Sequence, residues 1–141
     1  MIRATVDAAA LLAALKSGVA ERRGTMPILS HVLVEAEADH LRLTTSDLEA
    51  TVCARVDCTV DQGGAVCLPD EALRVVLGGG GSVRLEQLDD GHLLVRRGAR
   101  SRIRLPTLPA HDFPSPESLR WSELNIDPVM LGRALDAVMH A

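Results

Sequence analysis

Apolar and polar residues follow two different rhythms along this chain, one typical of β-strands and the other of α-helices. Residues 31–38 alternate between apolar and polar with a period of two, as a strand with one buried face does. Residues 7–18 instead carry leucines at helical spacing, with Asp7 as an N-cap and Gly18 as a stop. The chain therefore mixes strands and helices in short, separate segments.

The two rhythms recur in the same order, so that the pattern strand, helix, three strands occurs twice. The first unit spans residues 1–60 and the second residues 64–108, a repeat of about 60 residues. A third copy begins with a strand-like run at 122–127 and a helix-like run after it, but lacks further strands. We therefore expect an α+β fold. The first domain should span residues 1–117 and end in a connecting loop after the second unit. Residues 118–141 should form a linker and an incomplete second domain.

The composition is that of an ordinary globular domain except for its shortage of aromatic residues. Apolar residues make up 47% and charged residues 24% of 141 positions, enough for one domain with a core. The chain has one Trp, one Phe and no Tyr, so aliphatic side chains must form that core. Stacking of bases on aromatic side chains is nearly excluded. The net charge of −4 also argues against a small, tightly binding nucleic-acid domain.

Cysteine usage and the amino-terminal sequence indicate a cytoplasmic protein. Cys53, Cys58 and Cys67 have no C-x-x-C spacing and lie in apolar, strand-like runs, as reduced and buried thiols do. The first residues carry no charged-then-apolar leader. No apolar run approaches the ~20 residues of a membrane span, so we expect no membrane association.

Two carboxylates between strand-like runs, Asp47 and Glu49, are the first candidates for catalysis. Residues two apart on a strand share a face, and paired carboxylates can perform acid–base chemistry. The sequence supplies neither a nucleophile with a nearby base nor a metal-binding set to accompany them. Thr44, Thr45 and Ser46 are instead turn formers. We interpret this stretch as a joint between strands and keep a small enzyme using Asp47 and Glu49 as an alternative function.

Other patterns that could bind phosphate or metal are incomplete. Four glycines at 78–81 are not followed by Lys-Ser or Lys-Thr, so we interpret them as the end of a helix rather than a P-loop. The five histidines are scattered without metal-ligand spacing. We therefore expect no catalytic residue, metal or cofactor.

Three short motifs stand in an order and spacing that are specific in combination. They are T-x-P-I-L at 25–29, T-x-D-L-E at 45–49 and T-L-P-A-x-D-F-P at 107–114. With them the chain resembles the first domain of the bacterial sliding clamp family, the β subunit of DNA polymerase III. The resemblance implies a DNA-clamp fold and a non-catalytic processivity factor, in which two three-domain subunits form a ring with sheets outside and helices lining the hole. It also implies double-stranded DNA, DNA polymerase III, clamp loader subunits and a second identical subunit as partners.

On this resemblance, four basic residues are candidate DNA contacts. Arg23 and Arg22 match the loop position at which the family places a DNA-contacting arginine. Lys16 lies at the end of the first helix, where an ordinary helix-terminal charge is an equally good explanation. Arg74 is the only basic residue of the second helix, which is net negative and in this respect departs from the family. We therefore expect phosphate contacts first from Arg23 and Arg22, then from Lys16 and Arg74.

A second basic group, in the last hairpin of the repeat, allows three interpretations. It contains Arg96, Arg97, Arg100, Arg102 and Arg104. Phosphate binding is one interpretation, and charge on an exposed edge strand that prevents mispairing is another. The resemblance implies a third, contact with an acidic surface of a second subunit. The positions that match the family there are Arg100, Arg102, Ile103 and Leu105.

Two further expectations concern the function of the chain as a whole. Its length is that of an amino-terminal fragment or truncated form of a clamp, and the family's pocket for polymerase and loader peptides lies in domains beyond it. The alternative is a clamp-like binding or regulatory module that does not form a ring.

Overall fold

The structure, a computed structural model, describes residues 1–21, 24, 26–114 and 122–140. The first unit contains β1 (Arg3–Asp7), α1 (Ala8–Lys16), β2 (His31–Glu37), β3 (His40–Ser46), β4 (Thr51–Asp57) and β5 (Thr59–Gln62). The second unit contains β6 (Gly64–Pro69), α2 (Asp70–Leu77), β7 (Ser82–Gln87), β8 (His92–Arg97), β9 (Ser101–Pro106) and β10 (Leu108–Pro109). The remaining described elements are α3 (Pro128–Met139) and the 3-10 turns Pro27–Ser30 and Ala110–Asp112.

The strands form two antiparallel five-stranded sheets that exchange strands between the units. Sheet 1 has the order β5-β1-β7-β8-β9, and sheet 2 has the order β10-β6-β2-β3-β4. The first strand of each unit thus joins the three long strands of the other unit, β1 beside β7 and β6 beside β2. This interlocking confirms the duplicated α+β fold. The domain boundaries at 1–117 and 118–141 stay a prediction.

Local sequence explains where α1 and α2 begin. Asp7 Oδ2 accepts a hydrogen bond from the Ala10 amide (3.1 Å), so β1 passes directly into a capped helix. Pro69 is the last residue of β6 and the N-cap of α2. Its ring fixes φ at a value that suits the start of a helix. Both helices therefore start immediately after a buried strand and pack back against the sheets.

The core between the helices and the sheets is aliphatic, as the composition predicts. On α1, Leu11 and Leu15 are fully buried, whereas Leu12 is only partly buried. The largest fully buried leucine and isoleucine side chains are Ile2, Leu11, Leu15, Leu41, Leu68, Leu73, Leu77, Leu85 and Leu93. Full burial of such a side chain contributes about 1.5–3 kcal/mol, so this cluster is the main source of stability.

One strand-like run of the sequence is divided in the structure. Residues 50–60 read as a single strand, but β4 ends at Asp57 and β5 begins at Thr59. β4 pairs with β3 in sheet 2, whereas β5 pairs with β1 in sheet 1. The Cys58 amide donates to the Asp39 carbonyl (2.9 Å) where the chain changes sheet. The apolar alternation runs through this crossing, so it could not reveal the change.

The third copy of the pattern is present only as a helix. The strand predicted at 122–127 is not formed, because the described sheets contain no neighbour to hydrogen-bond with it. Asp127 Oδ1 caps α3 by accepting from the Val129 amide (3.0 Å). Val129 and Val138 of α3 are 62% and 74% exposed, as expected for a helix without a sheet beneath it. None of the helices in the described ranges is long and apolar enough to cross a membrane.

Candidate nucleic-acid face and exposed sheet edge

The helices α1 and α2 pack against each other and expose a face of mainly small or apolar residues. The exposed residues of α1 are Ala9, Ala10, Ala13 and Lys16. Those of α2 are Glu71 and Val75. The exposed charged residues of the two helices are thus one cation, Lys16, and one anion, Glu71. Small side chains permit close approach of a partner, but such a face attracts phosphate only weakly.

Arg74 is engaged inside the domain, which disfavours its predicted contact with DNA. Its Nη2 donates to the Leu15 carbonyl at the end of α1 (2.7 Å), and its Nε lies 2.9 Å from Asp70 Oδ2. The side chains of Asp70 and Arg74 are 3% and 21% exposed. A cation is stabilised near the last carbonyls of a helix. The guanidinium therefore links the two helices. The sequence could have indicated this ion pair, because Asp70 lies four residues before Arg74 on the same helix.

The other DNA-contact candidates lie at or after the end of α1. Lys16 is exposed in the last turn of that helix. Arg22 and Arg23 lie outside the described residues, so their assignment stays a prediction from the sequence. The residue before them, Glu21, is held in place by a hydrogen bond from its amide to the Leu29 carbonyl (2.8 Å).

The stretch around Asp47 and Glu49 forms a tight turn between β3 and β4. Asp47 Oδ1 accepts hydrogen bonds from the amides of Glu49 (3.0 Å) and Ala50 (2.7 Å). Leu48 has a positive φ of 74°, and its amide donates to Ser46 Oγ (3.1 Å). These are the contacts of a turn-forming aspartate. The interpretation as a joint is confirmed, and the Asp47 carboxylate is occupied by the turn.

A row of arginines crosses the outer face of sheet 1 to its free edge, β9. Arg84 on β7 faces Arg96 on β8, which faces Arg102 on β9. Arg84 pairs with Asp61 (3.1 Å), whereas no ion pair with a described residue neutralises Arg96 or Arg102. Within the described ranges the buried Arg96 Nε also has no hydrogen-bond partner. Like charges directly opposite each other destabilise a sheet, so the row favours an acidic partner at this edge.

The predicted interface residues of this hairpin divide between the surface and the core. Arg100 is exposed in the β8–β9 turn, and Ile103 is 38% exposed on β9. Leu105 is only 4% exposed and lies opposite the buried Leu93. Within this chain Leu105 is therefore a core residue, and its role at a subunit interface stays a prediction. The edge offers Arg100, Arg102 and Ile103, and the register adds Arg96, which the sequence grouped with the cluster but did not select.

Two arginines of the same hairpin make contacts within the domain. Arg97 Nη2 donates to the Val76 carbonyl near the end of α2 (2.7 Å). Arg104 forms an ion pair with Asp90 in the preceding turn. Binding of phosphate by the whole cluster is therefore disfavoured, because only part of it is available.

The thiols are less uniformly buried than the sequence predicts. Cys53 is exposed on the edge strand β4, because the outer face of that strand is open. Burial raises the pKa of the Cys67 thiol to about 11 and also raises the pKa of Cys58. Across the described part of the chain, no group of three or more His, Cys, Asp and Glu residues is placed to hold a metal.

A depression of about 410 Å³ lies between the segment after α1 and the start of α2. Its lining includes Glu21, Asp70, Glu71 and Val75. The carboxylates give it an acidic character, so it does not extend the positive group at the end of α1. The lining of this depression therefore does not favour phosphate.

The sequence matches known proteins over most of its length. Residues 2–117 match the family described as DNA polymerase III beta subunit, N-terminal domain. The chain is 36% identical to the Beta sliding clamp of Caulobacter vibrioides, over 99% of this chain and 39% of that protein. It is 38% identical to the Beta sliding clamp of Pseudomonas aeruginosa, over 84% of this chain and 34% of that protein.

Solved structures agree with these relatives. Caulobacter crescentus pol III beta superposes with a TM-score of 0.85 and 36% identity, over 95% of this chain and 37% of that chain. The DNA polymerase III subunit beta of Pseudomonas aeruginosa superposes with a TM-score of 0.83 and 35% identity, over 95% of this chain and 38% of that chain. The chain thus spans less than half the length of the relatives it matches. Its sequence and fold place it in the DNA polymerase III beta subunit, or sliding clamp, family, in the part that forms the N-terminal domain.

Proposed function

We propose that this chain is the amino-terminal part of a DNA sliding clamp, a non-catalytic processivity factor that encircles double-stranded DNA and retains the replicative polymerase on it. The observation that carries the proposal is the nearly neutral α1–α2 face on a clamp fold. Ala9, Ala10 and Ala13 would let the helices approach a duplex, while few charges would hold it. A ring that retains DNA by topology needs no strong attraction to phosphate.

The number of phosphate contacts sets how tightly such a protein holds DNA. Each contact contributes about 0.9 to the slope of log K against log salt, and several contacts make binding strong. We assign phosphate contact to Lys16, Arg22 and Arg23 only, all at one end of the helix face. So few contacts give weak attraction that salt readily screens, which suits movement along the duplex without recognition of sequence.

We further propose that the β9 edge joins a second subunit to close the ring. An acidic surface there would neutralise Arg96 and Arg102 and contact Arg100 and Ile103. Exposed ion pairs contribute about 0–1 kcal/mol, whereas charge pairs desolvated at an interface couple by about 1.5–7 kcal/mol. The buried Arg96 Nε belongs to the second class, so its neutralisation would be the larger gain.

The remaining partners are assigned to the longer protein. Contacts with DNA polymerase III and clamp loader subunits would lie in the rest of that protein, since this chain covers only 39% of the Caulobacter vibrioides relative. A role in replication would place the protein in the cytoplasm, and its free cysteines are consistent with that compartment.

A chimera tests the proposal: residues 1–117 of this chain replace the matched segment of the Caulobacter vibrioides Beta sliding clamp. Analytical ultracentrifugation over a range of concentrations should give the mass of two subunits. Arg102→Glu should weaken the dimer, so that the chimera dissociates at a higher protein concentration. The reason is that the substitution places a carboxylate against the expected acidic surface. Arg3→Glu is the matched control, since Arg3 lies on the outer face of the same sheet but on β1, away from the edge.

Two results would contradict the proposed subunit contact. One is a folded chimera that stays monomeric at every concentration; the other is an Arg102→Glu variant that dissociates no more than Arg3→Glu. A monomeric chimera, together with binding of a clamp loader subunit by this chain alone, would instead favour the alternative, a clamp-like module without a ring.

A further inference from the structure

Three arginines lie directly opposite one another on the outer face of sheet 1. The register pairs Arg84 on β7 with Arg96 on β8, and Arg96 with Arg102 on β9. Residues opposite each other in an antiparallel sheet are about 5 Å apart, so the three Cα atoms span about 10 Å. Arginine side chains are long enough for all three guanidinium groups to reach one ligand over that distance.

This arginine row carries more positive charge than the domain neutralises. Arg84 Nη1 lies 3.1 Å from Asp61 Oδ2. Arg96 and Arg102 form no ion pair with a described residue. Three guanidinium groups therefore share one carboxylate, and two positive charges remain without a partner in the described part of the chain.

Two other arginines of the same face have acidic partners. Arg3 on β1 lies 3.6 Å from Glu86 on β7, and Arg104 on β9 forms an ion pair with Asp90. These partners occupy the next positions along the strands, on either side of the row. The surplus of positive charge is therefore confined to the row that ends at Arg102.

Arg96, the middle member of the row, has an unsatisfied guanidinium nitrogen. Its Nε is buried, and no hydrogen-bond acceptor reaches it within the described ranges. Buried N–H groups in proteins are nearly always paired. Arg96 also has a like charge opposite it on each side, which destabilises a sheet. An anion at the centre of the row would therefore be stabilised most by Arg96.

The length and charge of the row favour a compact phosphate that carries several charges. Guanidinium groups bind phosphate oxygens through paired, charge-assisted hydrogen bonds. A chain of linked phosphates can contact neighbouring guanidinium groups at the same time, whereas a single phosphate cannot bridge the row. A duplex would need further cations along its backbone, but Arg97 and Arg104 are engaged within the domain. The row is thus better suited to a triphosphate group than to DNA.

We propose that Arg84, Arg96 and Arg102 form a binding site for a triphosphate group, inorganic or part of a nucleotide, beside the free β9 edge. The site is separate from the DNA contacts assigned to the end of α1. An acidic surface of a second subunit would meet the same guanidinium groups, so a bound triphosphate would compete with it. Only this competition rests on the proposed subunit contact.

Isothermal titration calorimetry of the full chain with inorganic triphosphate tests the site. The ionic strength is held constant, and divalent cations are left out because they bind triphosphate themselves. We expect triphosphate to bind at least about tenfold more tightly than inorganic phosphate. Arg96→Gln should weaken triphosphate binding at least about tenfold, since it removes charge-assisted hydrogen bonds. Arg3→Gln, on the same face but beside Glu86, is the matched control and should leave the Kd nearly unchanged.

Two results would overturn the site. One is a triphosphate that binds no more tightly than inorganic phosphate; the other is an Arg96→Gln chain that binds triphosphate as well as Arg3→Gln does. If Arg96→Gln does not fold, Arg102→Gln at the exposed edge replaces it with the same expected loss.

Two further ligands identify the source of the phosphates. A nucleoside triphosphate that binds more tightly than inorganic triphosphate would identify a nucleotide as the ligand, and equal affinity would identify the phosphate chain alone; both results agree with the site. A short duplex is the third ligand. If Arg96→Gln weakens binding of the duplex but not of triphosphate, the row contacts nucleic acid and the proposal is overturned.

The competition is tested in the chimera by analytical ultracentrifugation. Triphosphate should shift the chimera from two subunits toward one, and inorganic phosphate at the same ionic strength should shift it less. If calorimetry shows binding but saturating triphosphate leaves the dimer intact, the row lies outside the subunit contact and the competition is refuted. A chimera that never dimerises would refute the subunit contact alone, because calorimetry on the full chain still decides the triphosphate site.

Discussion

Replacement of Arg74 by Met removes the charged link between α1 and α2 and keeps most of the aliphatic stem. In the folded chain the guanidinium donates to the Leu15 carbonyl (2.7 Å) and lies 2.9 Å from Asp70, whose side chain is 3% exposed. Removal of one partner from a buried ion pair costs about 3–5 kcal/mol, and loss of a hydrogen bond to a charged group about 1.5–3 kcal/mol. The two terms overlap, and water reaches a side chain that is 21% exposed. We therefore expect the free energy of unfolding to fall by about 2–4 kcal/mol.

Urea unfolding followed by circular dichroism measures this change. The matched variants are Asp70→Asn and the double variant Asp70→Asn/Arg74→Met. If the ion pair is the source of the loss, the double variant should lose less than the sum of the two single variants, since a neutral amide does not require the cation. We expect a coupling of at least about 1 kcal/mol.

Two results would refute this reasoning. A loss below about 0.5 kcal/mol for Arg74→Met is the size expected of an ordinary surface substitution. Strictly additive losses would mean that Asp70 and Arg74 contribute independently. Either result would return Arg74 to the candidates for DNA contact.

Three further predictions concern the core and the thiols. Leu105→Ala should lower the free energy of unfolding by about 2–4 kcal/mol as a core truncation, whereas Ile103→Ala on the same strand should cost less than about 1 kcal/mol; equal losses in urea unfolding would contradict the assignment of Leu105 to the core. A thiol reagent should modify Cys53 rapidly in the folded chain and Cys67 only after unfolding, as read by peptide mass spectrometry; fast modification of native Cys67 would contradict its burial. Because the pKa of Cys67 is raised from 9.0 to about 11, ionisation favours the unfolded chain. Its contribution to stability should be complete below about pH 9 and decline as the pH rises toward 11, and Cys67→Ala should show a smaller decline.

The sequence predicted the elements of the fold well because their signals are local. Asp7 and Pro69 mark helix starts, and the alternation at 31–38 marks a strand with one buried face. The partners of each strand were not predictable in this way. A period of two shows which face of a strand is buried but not which strand lies beside it, so neither the crossing at Cys58 nor the exchange of β1 and β6 between sheets could be read from the pattern.

The candidate site was predicted less completely, for a related reason. The residue type at position 74 suggests a surface role, and the resemblance suggests an interface role for Leu105, but each role depends on which groups the fold brings to the residue. The Leu15 carbonyl lies far from Arg74 in the sequence, and Leu93 meets Leu105 only through the strand register. Thr45, which the sequence suggests as a turn former, instead lies buried in β3 and accepts a hydrogen bond from the Val19 amide (2.9 Å).

Topological retention on DNA tests the central claim most directly. The chimera that carries residues 1–117 of this chain would be loaded onto a nicked circular plasmid by a clamp loader and separated from free protein by gel filtration. The salt concentration would be one at which the chimera does not bind linear DNA. We expect the chimera to stay on the circle and to leave when the plasmid is cut once. Equal loss from intact and cut plasmids, with a folded dimeric chimera, would contradict a role of this domain in a ring around DNA.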